Sequence, residues 1–342
     1  MQAVWQEWAL YIGRRLLQTI IVLLGLAAIT FSLTRFLGNP VYLLVGVQAD
    51  EETIRTVTAR LGLDRPLWEQ FLTYVWNLVR GDLGVSRFTS NTVAFDIRHR
   101  LPATLELSTA ALLLGIAWTV PLGLLSARYR NGLIDRLSQA LVEAGVAVPS
   151  FWLGLLLVYT LFFQFNLFPA PLGRLDLTVT APPAVTGLLT VDSLLAGNWA
   201  AFRSAVSHLI LPAVTLAFTS CPPILQMTRN AMVEILRSDY IRAARSYGLT
   251  ERSIYFRYAL KNALLPITTM IAITYGYLLG GTVLVEVVFA WPGLGLYAVD
   301  AMNNADYEPI VGVVLLSAVV YVTIYFLTDI LHHLIDPRLR TQ

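Results

Sequence analysis

The chain is nearly without lysine and cysteine: Lys261 is the single lysine among 24 basic residues, and Cys221 is the single cysteine. One cysteine excludes an intrachain disulfide, so the fold holds without a covalent staple. The lone lysine stands outside any G-x-x-x-x-G-K-[ST] frame, which excludes a phosphate-cradling P-loop. His99, His208, His332 and His333 have no spacing suited to zinc, and neither H-E-x-x-H nor G-x-S-x-G occurs. Charge is scarce too, at 13% of the 342 residues against about 25% in soluble domains. These absences lead us to expect no catalysis by this chain, no metal site, no cofactor and no nucleic-acid partner.

What fills the chain is apolar surface, 56% of residues with a mean hydropathy of +0.63. A bilayer crossing takes about 20 such residues. Six runs meet that length, at 16–34, 104–125, 140–163, 209–227, 267–289 and 310–331. The fourth contains Pro212, Pro222 and Pro223 and is expected as a kinked helix, since neighbours in a bundle satisfy the carbonyls that proline frees. The fold class is therefore an all-α membrane protein of six transmembrane helices. The first run is longer than a signal h-region and lacks a small-residue cleavage site, and Arg14-Arg15 is only superficially like a twin-arginine signal.

Charge asymmetry sets the expected orientation. Segment 228–263 carries Arg229, Arg237, Arg242, Arg245, Arg252, Arg257 and Lys261 against three acids, and Arg128, Arg130 and Arg136 follow the second run. The loop 290–309 holds Asp300, Asp306 and Glu308 and no basic residue. Arg14 and Arg15 precede the first run, and Arg338 and Arg340 follow the last. The positive-inside rule then puts both termini in the cytoplasm. The expected organisation is a cytoplasmic segment 1–15, a first helix 16–37, an external region 38–102, a five-helix core 103–331 and a cytoplasmic tail 332–342. In the external region, 51–61 and 67–79 show helical periodicity, the latter with Leu67, Phe71, Tyr74, Val75 and Leu78 as an apolar stripe, before Gly81-Asp-Leu-Gly84 breaks it. Segment 166–208, rich in Pro and Gly, reads as a simple connection, with a lid as the alternative. Gly293-Leu-Gly295-Leu-Tyr-Ala298 resembles a dinucleotide fingerprint but follows Trp291-Pro292 in a loop, and is expected as a turn.

The most informative segment is Ser238-Asp-Tyr-Ile-Arg-Ala-Ala-Arg-Ser-Tyr-Gly248-Leu-Thr, charged chain between two apolar runs. Tyr240, Ala243, Ala244 and Tyr247 fall at i, i+3, i+4 and i+7 on one side of a short helix. Ser238 is a candidate cap, Asp239 suits the positive N-terminal end, and Gly248 suits the position just past the C-terminal end. A helix of about ten residues is marginal alone, so two alanines between two tyrosines read as a docking notch. Among ionisable groups near the runs, Glu106, Glu143 and Glu286 either line a substrate path or pair with a neighbouring arginine or helix end. Gly276-Tyr-Leu-Leu-Gly280-Gly281 is a small-x-x-x-small pattern for close helix contact.

Asp239-Tyr-Ile-Arg-Ala-Ala-Arg-Ser-Tyr-Gly248 through Ala259-Leu-Lys-Asn-Ala-Leu-Leu-Pro266 resembles the cytoplasmic coupling loop of ABC importer permeases, above all the B-type permease subunits of dipeptide, oligopeptide and nickel uptake systems. Leu61-Gly-Leu-Asp-Arg-Pro-Leu67, Gly81-Asp-Leu-Gly84, Arg100-Leu-Pro-Ala-Thr-Leu-Glu-Leu107, Val148-Pro-Ser-Phe-Trp-Leu-Gly154, Ala290-Trp-Pro-Gly-Leu-Gly295 and Asp336-Pro-Arg338 sit in the same order as similar words in that family, so the likeness covers nearly the whole chain. It departs from the wider importer pattern where Arg242 replaces a glutamate and Leu265-Pro266 comes five residues late. The resemblance implies a type I importer permease in a bacterial inner membrane, forming half of a pore with a homologous second permease. Two ATP-binding subunits holding ATP and Mg, and an extracytoplasmic substrate-binding protein, would complete the complex. The ATPase-coupling residues implied are Asp239, Tyr240, Arg242, Ala243, Ala244, Arg245, Tyr247, Gly248 and Leu249, and the substrate-path candidates are Glu143, Glu286, Gly280 and Gly281. Peptides are the implied cargo, with nickel chelates, glutathione and opine-like compounds carried by similar pores. A self-sufficient secondary transporter would show two related halves, which are not evident. A membrane enzyme would need a catalytic constellation. An amphipathic helix flat on the inner leaflet is the competing reading of 239–248.

Overall fold

The computed structural model describes residues 2–36, 50–60 and 63–335. Leu61, Gly62, Asp336-Pro-Arg338, Arg340 and the start of the expected external loop at 38–49 lie outside the described residues. The described elements are α1 (Gln2–Phe36), α2 (Glu51–Arg60), α3 (Leu67–Val79), α4 (Val93–Arg128), α5 (Leu133–Ala147), α6 (Ser150–Leu157) and the π-helix π1 (Val158–Gln164). There follow α7 (Leu189–Leu195), α8 (Trp199–Ser220), α9 (Pro222–Leu236), α10 (Asp239–Ser246), α11 (Glu251–Ser253) and π2 (Ile254–Ala259). The last are α12 (Leu260–Gly281), α13 (Val283–Val288), α14 (Leu294–Asn303) and α15 (Tyr307–Ile335). The only extended pairing among the described residues is one antiparallel bridge, Val85 with Thr92. The chain divides into two compact units, residues 1–97 with 300–322, and residues 98–299 with 323–342.

Among the described residues, four stretches are long and apolar enough to cross a membrane: Val93–Arg128, Trp199–Ser220, Glu251–Gly281 and Tyr307–Thr328. The pair Leu133–Ala147 and Ser150–Gln164 makes a fifth if the two halves count as one, and α1 contributes a shorter apolar stretch, Leu17–Ser32. Sequence reading treated 140–163 as one run, whereas the structure bends it by 100°. Pro149 causes this: it pushes Val148 into an extended conformation (φ −85°, ψ 122°) and itself starts α6. The 267–289 run is likewise divided at Thr282, between α12 and α13.

In the 209–227 run the helix passes through Pro212 and then ends at Ser220, with Pro222 opening α9 at its first position. Pro222 cannot donate to the carbonyl four residues back, that of Phe218. Gly145 of α5 comes so close to this joint that a Cβ there would stand 2.5 Å from the Phe218 oxygen and from the Pro222 ring. Gly115 of α4 does the same for Cys221, whose Sγ would be 2.1 Å from an added Cβ. Two glycines from two helices thus wrap the proline joint and shield its freed carbonyl.

In the first unit, α3 docks on α1. The rings of Phe31 and Phe71 meet edge to face with centroids 5.5 Å apart, and the hydroxyls of Thr30 and Tyr74 are 3.1 Å apart. The hairpin around Val85–Thr92 is fastened by buried Asp306, which accepts from the Ser86 hydroxyl (2.7 Å) and the amides of Arg87 and Phe88 (2.8 and 3.1 Å). Helices at 51–60 and 67–79 and the break after them agree with the periodicity of the sequence, with Gly81 and Gly84 at φ +79° and +86°.

Segment 166–208 of the second unit is ordered by two carboxylates. Buried Glu106 of α4 accepts from the amide and hydroxyl of Thr190 (2.7 and 2.6 Å) and from the Arg174 guanidinium, which also donates to the Gly187 carbonyl (3.1 Å). Asp192 accepts from the amides of Val185, Thr186 and Gly187 (3.2, 2.8 and 2.9 Å) and the Thr186 hydroxyl (2.7 Å). Burial, the largest single influence, pushes the Asp192 carboxyl up, yet these donors together hold it below its ordinary 3.8. A carboxyl depressed by folding contributes stability above its unfolded value and loses it as pH falls through the folded one. The Thr186 and Gly187 amides should therefore resist hydrogen exchange from neutrality down to pH 3.8 and open only in stronger acid. Asp192→Asn should open them at neutral pH; equal protection in the variant would contradict the nest.

Candidate functional site

Helix α9 ends at Leu236, and the chain turns through Ser238 (φ −67°, ψ 155°) into α10. Ser238 occupies the capping position, but its hydroxyl donates backward to the Ile235 carbonyl (2.6 Å) and gives α10 no side-chain cap. Asp239 stands in the first turn, 3.1 Å from Arg242. At the other end the Gly248 amide donates to the Arg245 carbonyl (2.9 Å) and the Leu249 amide to the Ala244 carbonyl (3.3 Å), the paired closure of a Schellman motif. Gly248 has φ +77° with nothing within 4 Å of an added Cβ, so what it supplies is conformation and not space. Thr250 caps α11 by accepting from the Ser253 amide (3.4 Å), and Glu251 bridges back to Arg245 at 2.9 and 3.3 Å.

The two sides of α10 differ. Ile241 and Ala244 are buried in a cluster with Ala127 of α4, Met232 of α9, Ile254 and Tyr255 of π2, and Ile267 of α12. Tyr240, Ala243 and Tyr247 are exposed, Tyr247 at 87%, and Leu249 just beyond is exposed at 37%. The Tyr240 hydroxyl accepts from the Asn262 side chain (3.2 Å). This corrects the four-residue notch expected from the sequence: Ala244 faces the chain's own core, and the outward side is Tyr240, Ala243 and Tyr247 flanked by exposed Arg242 and Arg245. Below α10 the wide π2 turn lets the Tyr255 hydroxyl donate to the Leu124 carbonyl, tying the loop to α4.

The profile of the family described as "Binding-protein-dependent transport system inner membrane component" matches residues 119–341, and that of its N-terminal part matches residues 9–108. The chain belongs to this family. It is 40% identical to the di/tripeptide transport system permease protein DppB of Pseudomonas aeruginosa, over 97% of this chain and 99% of that one. It is 36% identical to the dipeptide transport system permease protein DppB of Escherichia coli K12, over 96% and 98%. A solved structure of the inward-facing MetNI methionine ABC transporter superposes with a TM-score of 0.52 at 19% identity, covering 68% of this chain and 93% of that one, a likeness of fold.

In this permease the other candidate residues are scattered. Glu286, marked as a substrate-path residue, is fully enclosed. Its carboxylate accepts from the hydroxyls of Thr104 (2.8 Å) and Thr282 (3.0 Å) and the amide of Leu296 (3.0 Å). A Cβ on Gly293 would lie 2.4 Å from both of its oxygens. Trp291-Pro-Gly-Leu-Gly295 is thus a loop wrapped on a carboxylate, with the Trp291 indole donating to the Ala103 carbonyl (2.8 Å). The expected turn extends only to Gly293, where α14 begins. Of its two expected roles, this geometry gives Glu286 that of an anchor. Glu143 is exposed on α5 and lines an open groove of about 410 Å³ with Asn131, Asp135, Arg136, Gln139 and Ala140. Gly280 has open space around it, and a Cβ added at Gly281 would lie 3.4 Å from the Tyr277 ring. Neither joins Glu143 or Glu286 in one cavity among the described residues.

No local sequence pattern marks the buried ion pair behind α10. Asp135 takes both Arg229 contacts (2.6 and 2.8 Å), the Ser126 hydroxyl (2.6 Å) and the Asn131 amide (2.8 Å), joining the α4–α5 turn to α9. The partners stand 94 positions apart, so no local pattern announces them.

The two-sided helix separates three substitutions. Ala244→Trp should overfill the core and lower stability by about 1–3 kcal/mol, and Gly248→Ala should cost about 1–2 kcal/mol through its left-handed backbone. Ala243→Trp should leave thermal unfolding in detergent unchanged. An Ala243→Trp midpoint as low as that of Ala244→Trp would contradict the assignment of sides.

Proposed function

We propose that this chain forms half of the translocation pore of an ATP-driven importer of di- or oligopeptides in a bacterial inner membrane. The observation that supports the coupling role is the asymmetry of α10: one side is fixed in the chain's own core, and the other leaves Tyr240, Ala243 and Tyr247 exposed. The peptide cargo is supported by the names of the relatives, aligned along nearly their full length. In this reading the chain pairs with a homologous second permease. Two ATP-binding subunits, which hold ATP and Mg, clasp the coupling helices, and an external binding protein delivers the cargo. The six spans are α1, α4, α5 with α6 and π1, α8 with α9, α11 with π2 and α12, and α15, with both termini cytoplasmic.

ATP-driven closure of the motor pair would push on α10. Ile241 and Ala244 pass that displacement to α9 and α12, and Asp135–Arg229 carries it on to the α4–α5 turn. Packed helices switch between discrete arrangements and do not stretch, so such a push becomes a rigid-body change of the pore.

Cysteines placed at Tyr247 and Leu249 should cross-link to an ATP-binding subunit. Ala243→Trp and Gly248→Val should keep the permease in the membrane, weaken its hold on that subunit and uncouple uptake from hydrolysis. Assembly at wild-type affinity with normal transport by both variants would sink the docking role and favour a helix lying on the inner leaflet. For orientation, cysteines at Asp300 and Ser253 should react with an impermeant thiol reagent only from outside and only from inside, respectively. Reversed labelling would invert the topology.

A further inference from the structure

Helix α3 carries more apolar surface than its docking on α1 uses. At about 100° per residue its apolar side chains cover an arc of roughly 200°, and Glu69, Gln70, Thr73 and Asn77 share the remainder. One edge of the arc, Phe71 and Tyr74, meets Phe31 and Thr30 of α1. The rest of it, Trp68, Leu72, Trp76 and Val79, is between 56% and 74% exposed. Spaced at i, i+4, i+8 and i+11, these four form one ridge beside the docked edge.

The depth at which α3 is held identifies what covers that ridge. The apolar stretch of α1 runs Leu17–Ser32, and α3 touches it at Thr30 and Phe31. Thr30 is two residues, about 3 Å along the axis, from the end of the stretch. The helix is thereby fixed where hydrocarbon gives way to headgroups, the level at which interfacial helices bury an apolar side about 5–10 Å deep and at which tryptophan concentrates. The same stretch of α1 leaves Ile21, Leu24 and Ile29 exposed, so the apolar surface continues beyond α3. At the end of the ridge the Arg80 guanidinium lies 4.6 Å from the Trp76 ring centroid, a cation beside an amphipathic ring.

We propose that α3 is an interfacial helix whose Trp68–Leu72–Trp76–Val79 ridge lies in the acyl boundary of the leaflet at the C-terminal end of α1, with Arg80 at the level of the phosphates. The proposal rests on the reading above only for the presence of a bilayer, and not on cargo or on which leaflet faces out.

The test uses the full transporter complex in phosphatidylcholine–phosphatidylglycerol vesicles, with nitroxide labels on single cysteines introduced at Leu72, Trp76 and Thr73. Buried Cys221 stays in place, and the unsubstituted chain gives its background labelling. Labels at 72 and 76 should be relaxed by oxygen and shielded from a water-soluble nickel chelate, at a depth of about 5–10 Å, with the reverse at 73. Chelate access at 72 and 76 would mean a wet ridge. Shielding from both reagents there would mean that a second permease or the binding protein covers it. Either result overturns the proposal. ATP-driven peptide uptake, measured on the same vesicles, reports separately on the importer reading.

Discussion

A carboxylate taken out of water must be surrounded by donors, and that constraint shapes this molecule more than any apolar contact does. Losing the hydration of an ion costs several kcal/mol unless the protein replaces it. Four of the buried acids are met by groups from distant parts of the chain. Glu286 gathers α4, α13 and the start of α14, Glu106 pins segment 166–208 to α4, Asp135 joins the α4–α5 turn to α9, and Asp306 fastens the hairpin at 85–92. Lipid-facing surfaces are permissive, because any apolar side chain suits them. The acids are selective, because few arrangements of donors satisfy them, and they therefore set which helices meet.

This explains which parts of the structure were legible in the sequence. Periodicity located 67–79 and the apolar runs, and Gly248 marked the end of α10, because each of these signals is local. The inward turn of Ala244 was not legible. Tyr240 and Tyr247 suggested a single aromatic-sided face, yet Ile241, between them in sequence, is the residue that anchors the helix. Glu286 was left between two readings for a similar reason. An acid at the end of an apolar run looks the same whether it faces a path or a cage, and its donors Thr104 and Leu296 are 182 and 10 positions away. Arg229 was counted toward a basic loop, although its charge is spent inside on Asp135.

Breaks at proline in the long helices follow one rule. Where proline removes a donor or forces an extended residue, the freed groups are covered by close neighbours instead of being left to lipid. Gly145 and Gly115 allow α5 and α4 to close over the Ser220–Pro222 joint, and Val148–Pro149 redirects the chain by 100° between two apolar helices. These joints divide long spans into shorter rigid pieces, which suits a wall that must change shape without melting.

The two sides of α10 share no residue, and this has an evolutionary consequence. Mutations at Ala243 or Tyr247 alter what the helix presents without touching what holds it, while Ile241 and Ala244 hold it without being seen. Partner choice can therefore drift, duplicate and diverge at almost no risk to folding. Under the proposed coupling role, the exposed positions alone, transplanted between sister permeases, would carry motor preference with them.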